Sequence, residues 1–195
     1  MPKSRRLTSP PLERGRLRGG ATFTLIAAVS LDGRITAGKR EGSEWTSKED
    51  KKFFQSELDK ADAVIMGRKT FEAIPRPLKP RNRIVFTHRD FVIPSKDGIQ
   101  SPVAFKGSVK KLIGLLKRNA WTRIAVVGGT SIYGWFLEKK LIDELYITVE
   151  PVIFGSGKLL TANTLSRTTD FTLQSMQKLN KTGTVLLHYK NSKKV

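Results

Sequence analysis

Short apolar runs alternate along this chain with stretches whose apolar residues recur every three or four positions. Thr22–Val29, Ala63–Met66, Arg83–Thr87, Arg123–Val127 and Leu145–Val149 are the runs, and they predict buried strands. Pro102–Phe105 is a weaker strand candidate inside the irregular stretch Phe91–Gly107. Helical spacing predicts helices over 47–60, from Gly67 to Ile74, from Ser108 to Lys117 and from Thr130 to Lys139. Ser108 is the expected hydroxyl N-cap of the third, with Val109, Leu112, Ile113 and Leu116 turned inward. Pro75, Pro77 and Pro80 end the second helix and set a stiff turn. Two late strands, near Phe171–Leu179 and Thr184–Tyr189, flank the hairpin signal Asn180-Lys181-Thr182-Gly183. Strands alternating with helices and then a hairpin predict an α/β domain, its sheet mostly parallel with an antiparallel C-terminal edge. Ligands of such sheets sit beyond the carboxyl ends of the strands.

The first 20 residues break this pattern. Met1–Gly20 holds Lys3, Arg5, Arg6, Arg14, Arg16 and Arg18 with almost nothing to bury, so a disordered basic arm is expected, followed by one domain over 21–195. A length of 195 residues suits one full core. Cysteine is absent and only His88 and His188 are present, which argues against thiolate or zinc chemistry. No apolar run approaches a bilayer span and no signal peptide is visible, so a cytoplasmic location is expected. The net charge of +19, from 36 Lys+Arg against 17 Asp+Glu, attracts polyanions or a small anionic substrate. No nucleic-acid-binding motif accompanies it.

Three stretches carry candidate chemistry. Trp45-Thr46-Ser47-Lys48-Glu49-Asp50 opens the first helix, with Thr46 or Ser47 as N-cap and Ser47/Asp50 spaced like a capping box. Asp50 and Phe54 lie four apart and share a face, an arrangement able to grip a flat heterocycle bearing N–H donors. On this stretch alone, an acid placed for the helix dipole is the better reading. Met66-Gly67-Arg68-Lys69-Thr70 and Val127-Gly128-Gly129-Thr130-Ser131 are strand-to-helix turns where glycine lets a phosphate reach backbone N–H groups. Arg68 and Lys69 add cationic partners, and the pair of turns suggests a dinucleotide, although G-x-G-x-x-G is missing. His188, Tyr189, Trp121 and Trp135 carry no functional argument.

These residues resemble the dihydrofolate reductases from about Thr22 to Leu160, and more loosely through the last hairpin. The resemblance rests on Ile26-Ala27-Ala28, Trp45 with an acid five residues on, Val64 to Ile74, Arg76 to Arg81, and Val126-Val127-Gly128-Gly129 with Ile132-Tyr133. It implies a three-layer dihydrofolate-reductase-like fold in a single domain and NADPH-dependent reduction of 7,8-dihydrofolate to tetrahydrofolate, with hydride passing to pterin C6. It implies that Asp50 holds the pterin N3–H and 2-amino group, that Thr148 supports Asp50, and that Trp45 organises a water. Phe54, Ile74, Leu78 and Arg81 would bind the rest of the folate, and Ala28 and Ile35 would border the nicotinamide. Gly67, Arg68, Lys69, Thr70, Thr87 and His88 would take the adenosine phosphates. Val127, Gly128, Gly129, Ser131, Ile132 and Tyr133 would take the pyrophosphate and nicotinamide side.

Lys51 departs from the resemblance, since many members place an apolar residue there. Leu141–Leu145 and Pro151–Lys158 look like the sister branch, the reductase domain of riboflavin biosynthesis, which implies a possible homodimer. The alternative activity is therefore reduction of 2,5-diamino-6-ribosylamino-pyrimidinone 5′-phosphate. Asp50 and Arg81 are expected to argue against it, a ribosyl phosphate having no glutamate tail and no pterin N3 edge. A nucleic-acid-binding protein on a reductase scaffold is the other alternative.

Overall fold

The structure is a computed structural model that describes residues 20–38, 44–74, 82–87, 102–161, 165–166 and 168–192. The expected arm lies outside these residues apart from Gly20, and so do Leu78, Arg81, His88 and the Pro75–Pro80 turn. Eight strands are β1 (Thr22–Ser30), β2 (Ala63–Gly67), β3 (Arg83–Phe86), β4 (Val103–Phe105), β5 (Arg123–Val126), β6 (Glu144–Glu150), β7 (Phe171–Lys178) and β8 (Val185–Asn191). Among the described residues the helices are α1 (Lys48–Lys60), α2 (Arg68–Ala73), α3 (Val109–Arg118) and α4 (Thr130–Glu138).

One sheet holds all the strands in the order β4-β3-β2-β5-β1-β6-β8-β7. Its first six strands pair in parallel, and β8 and β7 add an antiparallel edge. From β1 the chain passes over to β2, works outward to β4, and returns to insert β5 between β2 and β1; α4 then carries it across to β6. That reversal places the ends of β1, β2 and β5 side by side, where such sheets bind ligands.

Alternation along β1 builds the two cores. Phe23, Leu25, Ala27 and Val29 face one way, onto Leu112 and Leu116 of α3 and Phe136 of α4. Ile26 faces the other way, with Val64, Met66, Val85 and fully buried Leu58 of α1. The protein is thus three-layered, with α1 on one face of the sheet and α3 and α4 on the other.

Local signals set the helix ends only in part. Ser47 is the N-cap of α1, and its Oγ accepts the Asp50 N–H at 3.2 Å. Ser108 stands at the N-cap position of α3, but its side chain makes no capping hydrogen bond, contrary to expectation. Leu112, Ile113 and Leu116 hold that helix down instead. The Asn180 carboxamide oxygen accepts N–H bonds from Gly183 and Thr184, closing the β7–β8 turn that the sequence signals.

Candidate active site

A single stripe of α1 meets a single face of β6. Strand alternation puts Tyr146, Thr148 and Glu150 on the α1 side of the sheet, while helical spacing puts Ser47, Asp50 and Phe53 on one side of the helix. Three residues of helix advance about 4.5 Å and two of strand about 6.6 Å, close enough to keep three successive contacts in step. Phe53 packs on Tyr146 with ring centroids 5.2 Å apart. The Thr148 hydroxyl hydrogen-bonds the Asp50 carboxylate. The Ser47 N–H donates to Glu150 Oε1 at 2.7 Å.

Asp50 is therefore no solvated helix-start acid. It is 8% exposed and forms part of the wall of a cleft. Burial pushes its carboxyl above the ordinary value of 3.8. Hydrogen bonds from the Thr148 and Thr46 hydroxyls pull the other way, the Glu150 charge adds to the rise and Lys51 opposes it. The capping box expected from Ser47 and Asp50 is only half formed, because Glu150 takes the reciprocal place. The Asp50 carboxylate thereby stays available to the cleft.

The cleft measures about 1240 Å³ and runs along the carboxyl ends of β1, β2 and β5. A pocket for one small ligand takes roughly 300–1,000 Å³, so this cleft has room for two side by side. One half holds Asp50, Trp45, Phe54, Ile74 and Ala28. Trp45 stands edge-on to Phe154 at 5.0 Å. The other half holds Gly67, Arg68, Lys69, Thr70, Thr87, Val127, Gly128, Gly129, Ser131, Ile132 and Tyr133, and Ile35 lines the same cleft. Thr148 lies behind Asp50 rather than on the surface of the cleft.

The two glycine turns, read from sequence as separate stations, touch one another. The Gly67 N–H donates to the Gly128 carbonyl at 2.7 Å, and a Cβ at Gly129 would stand 3.1 Å from Thr70 Oγ1. Gly128 has φ +113°, and a Cβ there would meet the Tyr133 hydroxyl at 3.2 Å. Glycine is required at Gly128 on both counts. Tyr133 is buried and donates to the Ile26 carbonyl at 2.7 Å; burial, and secondly the Asp50 charge, raise its phenol pKa. Arg68 is less available than expected, because its guanidinium already contacts both Glu72 oxygens, at 2.6 and 2.8 Å.

Several lining residues escaped the sequence reading. Trp135 lines the cleft and packs edge-on against Phe86 at 5.3 Å, though no role was expected for it. Lys106 and Lys158 join Lys51, Arg68 and Lys69, so among the described residues five cations line the cleft against two acids, Glu44 and Asp50. Asp32, read only as part of a turn, takes the Phe154 and Gly155 N–H groups and the Arg34 guanidinium. Arg34 in turn donates to the Gly157 carbonyl at 2.8 Å, and Ile35 N–H to the Lys158 carbonyl at 2.8 Å. This zip fixes Ile35 and Lys158 on the cleft. Glu150 was missed although a signal existed, since two residues on from Thr148 along a strand is the same face.

Residues 21–185 match the RibD C-terminal domain, and the chain belongs to that family, within the reductase superfamily that includes the dihydrofolate reductases. It is 33% identical to the dihydrofolate reductase of Haemophilus influenzae over 127 residues, 65% of this chain and 71% of that one. Its fold is similar to that of a pyrimidine reductase-like protein from Corynebacterium diphtheriae, at TM-score 0.70 and 16% identity, covering 92% and 95% of the two chains. It is also similar to the diaminohydroxyphosphoribosylaminopyrimidine deaminase/5-amino-6-(5-phosphoribosylamino)uracil reductase of Thermotoga maritima, at TM-score 0.70 and 17% identity, over 89% of this chain and 57% of that one. Reductases of this superfamily use NADPH. The residues here fit such a group. No side chain caps α4, and Thr130 Oγ1 is buried in the same wall with no hydrogen-bond partner among the described residues.

The raised pKa of Asp50 gives a stability prediction. An acid whose value is higher in the folded state binds its proton more tightly there, so stability falls as pH rises from 3.8 through the folded value. Asp50→Asn removes that loss. The variant is expected to equal or exceed the parent in urea denaturation at pH 7, and its advantage should shrink as the pH approaches 4. An advantage that grows towards low pH would contradict the burial assigned to Asp50.

Proposed function

We propose that this chain is an NADPH-dependent reductase of a substrate built on a 2-aminopyrimidin-4-one ring, held by Asp50. A carboxylate accepts two adjacent N–H donors at once, and the N3–H and 2-amino group of such a ring offer that pair. The buried Asp50 carboxylate, steadied by two threonine hydroxyls, is the observation that carries the reading. Phe54 would pack on the face of the ring.

The favoured substrate is 2,5-diamino-6-ribosylamino-pyrimidinone 5′-phosphate. The sequence argument that Asp50 speaks against it does not hold, because this pyrimidinone presents the same N3–H and 2-amino edge as a pterin. A uracil would present an oxygen there, facing the carboxylate, so the amino form suits the site better. Lys51 and Gln55, four apart on α1 at the substrate half, supply a cation and an amide for a phosphate. The match to the RibD C-terminal domain supports a pyrimidine of this pathway, and the amino edge that Asp50 would hold selects this one over the uracil. NADPH, held by the glycine turns, supplies the hydride when bound. Reduction adds hydride to C1′ of the ribosylamino group in its open-chain imine form and a proton to the attached nitrogen. The chain's own contribution is placement and exclusion of water. A second reading, reduction of 7,8-dihydrofolate, is favoured by the Trp45, Asp50, Phe54 and Thr148 arrangement and by the Haemophilus relative.

NADPH oxidation followed separately with the pyrimidinone and with dihydrofolate separates the two. The pyrimidinone is expected to give the higher kcat/KM; the reverse order would establish the second reading. Asp50→Asn should lower kcat/KM on the preferred substrate by about 10²-fold or more, equivalent to at least about 2.7 kcal/mol, with NADPH affinity nearly unchanged. Near-full activity in that variant would remove the ring-binding role.

The 2′-phosphate of NADPH would meet Lys69, with Arg68 shared with Glu72. Lys69→Ala is expected to narrow the preference for NADPH over NADH in kcat/KM, and Arg68→Ala to narrow it less. Equal use of both cofactors by the unmodified chain would cancel this assignment.

A homodimer is part of the proposal. β7 is an edge strand carrying Leu173 at 49% and Met176 at 70% exposure, and its backbone beyond the irregularity at Leu173–Ser175 offers a second copy a pairing edge. Light scattering should give about twice the 21.8 kDa chain mass; a monomer at high concentration would exclude it.

A further inference from the structure

Glu150 is buried at 4% exposure, two residues past Thr148 on the same face of β6. Its two oxygens have separate tasks. Oε1 accepts the Ser47 N–H at 2.7 Å, and Oε2 accepts the Thr184 hydroxyl at 2.6 Å. Thr184 receives the Asn180 carboxamide N–H at 2.9 Å, and Asn180 also donates to Glu49 at 3.2 Å. One carboxylate thus ties the first N–H of α1 to the β7–β8 turn, from a strand distant in sequence from both.

We propose that Glu150 is a positioning residue of the reductase site: it closes the cap of α1 from β6 and so holds the Asp50 carboxylate turned into the cleft. The inference rests on Asp50 being the ring-binding group. In a capping box the side chain at the third helical position, best Glu or Gln, folds back onto the N-cap N–H, and Asp50 occupies that position. Here that donor is taken, and the competing conformation of Asp50 has lost its partner. The tie is also electrostatic. The charged groups around Asp50 are Glu150 on β6 and Lys51 on its own helix, while Tyr133 on α4 feels its charge; the Thr46 and Thr148 hydroxyls complete the shell. Glu150 opposes ionisation of Asp50, and Lys51 favours it. Replacing Glu150 by glutamine keeps an acceptor for Ser47 and a partner for Thr184 but removes the charge. Replacing it by aspartate keeps the charge but shortens the reach.

The test uses the full chain labelled with ¹³C at aspartate carboxyls, the Asp50 signal being identified by its loss in Asp50→Asn. In Glu150→Gln the Asp50 titration is expected to move to lower pH, and the acid limb of kcat/KM to move with it. In Glu150→Asp the charge remains but the Ser47 N–H is released, and kcat/KM should fall by about 10²-fold, the cost of a misplaced ring-binding group. NADPH binding should hold in both. An Asp50 titration unmoved by Glu150→Gln, or full activity in Glu150→Asp, would overturn the proposal. Should Glu150→Gln fail to fold, the aspartate variant still decides the geometric half. If Asp50→Asn itself stays active while the titration shifts as expected, the ring-binding reading has failed and the Glu150 coupling stands.

Discussion

Taking a carboxylate out of water is costly unless hydrogen bonds replace the solvent it loses. Asp50 meets that condition through Thr46 and Thr148, and the rest of the site is arranged so that it can. The helix that carries it must lie against β6 in one register, because Thr148 is the only threonine on that strand and Glu150 must reach Ser47 at the same time. Leu58 at the far end of α1 is fully buried and Phe53 packs on Tyr146, so apolar packing fixes the helix while the polar end fixes the site. A partly satisfied network of this kind would be worse than an apolar one.

The sheet supplies the second feature, a long cleft at the ends of three neighbouring strands. Because β5 is inserted between β2 and β1, the Gly67 turn and the Gly128-Gly129 turn emerge as neighbours and bond to each other. Both turns are tightly packed: a Cβ at Gly67 would stand 3.2 Å from Ile132, and one at Gly129 would stand 3.1 Å from Thr70. In the proposed function the cofactor would lie on this backbone surface and the substrate beside Asp50. The strong net positive charge is partly explained by this cleft, where five basic residues outnumber two acids. Such a field draws in anionic ligands, and in the proposed function Asp50 would orient the ring held there.

Much of the fold was legible in the sequence. Strand runs such as Ala63–Met66 and Ile124–Val127 are buried on both faces and read as continuous apolar stretches, and the Asn180–Gly183 hairpin has its own turn chemistry. The parallel sheet with an antiparallel edge follows from the alternation of elements. Asp50, Phe54 and the two glycine turns were also visible, because they are local patterns at element boundaries.

What the sequence could not decide is which local signals would be overruled. Ser47 and Asp50 spell a capping box, yet Glu150, 103 residues from Ser47, takes the donor that Asp50 would have used. Arg68 looks like a free phosphate ligand, yet Glu72 one turn on shares its guanidinium. Trp135 and Lys106 reach the cleft only because α4 begins and β4 ends beside it. Propensity, capping and periodicity act over a few residues, and they set the elements. The identity of the groups that surround a buried charge depends on which strands lie side by side, and that is settled by the packing of the whole sheet.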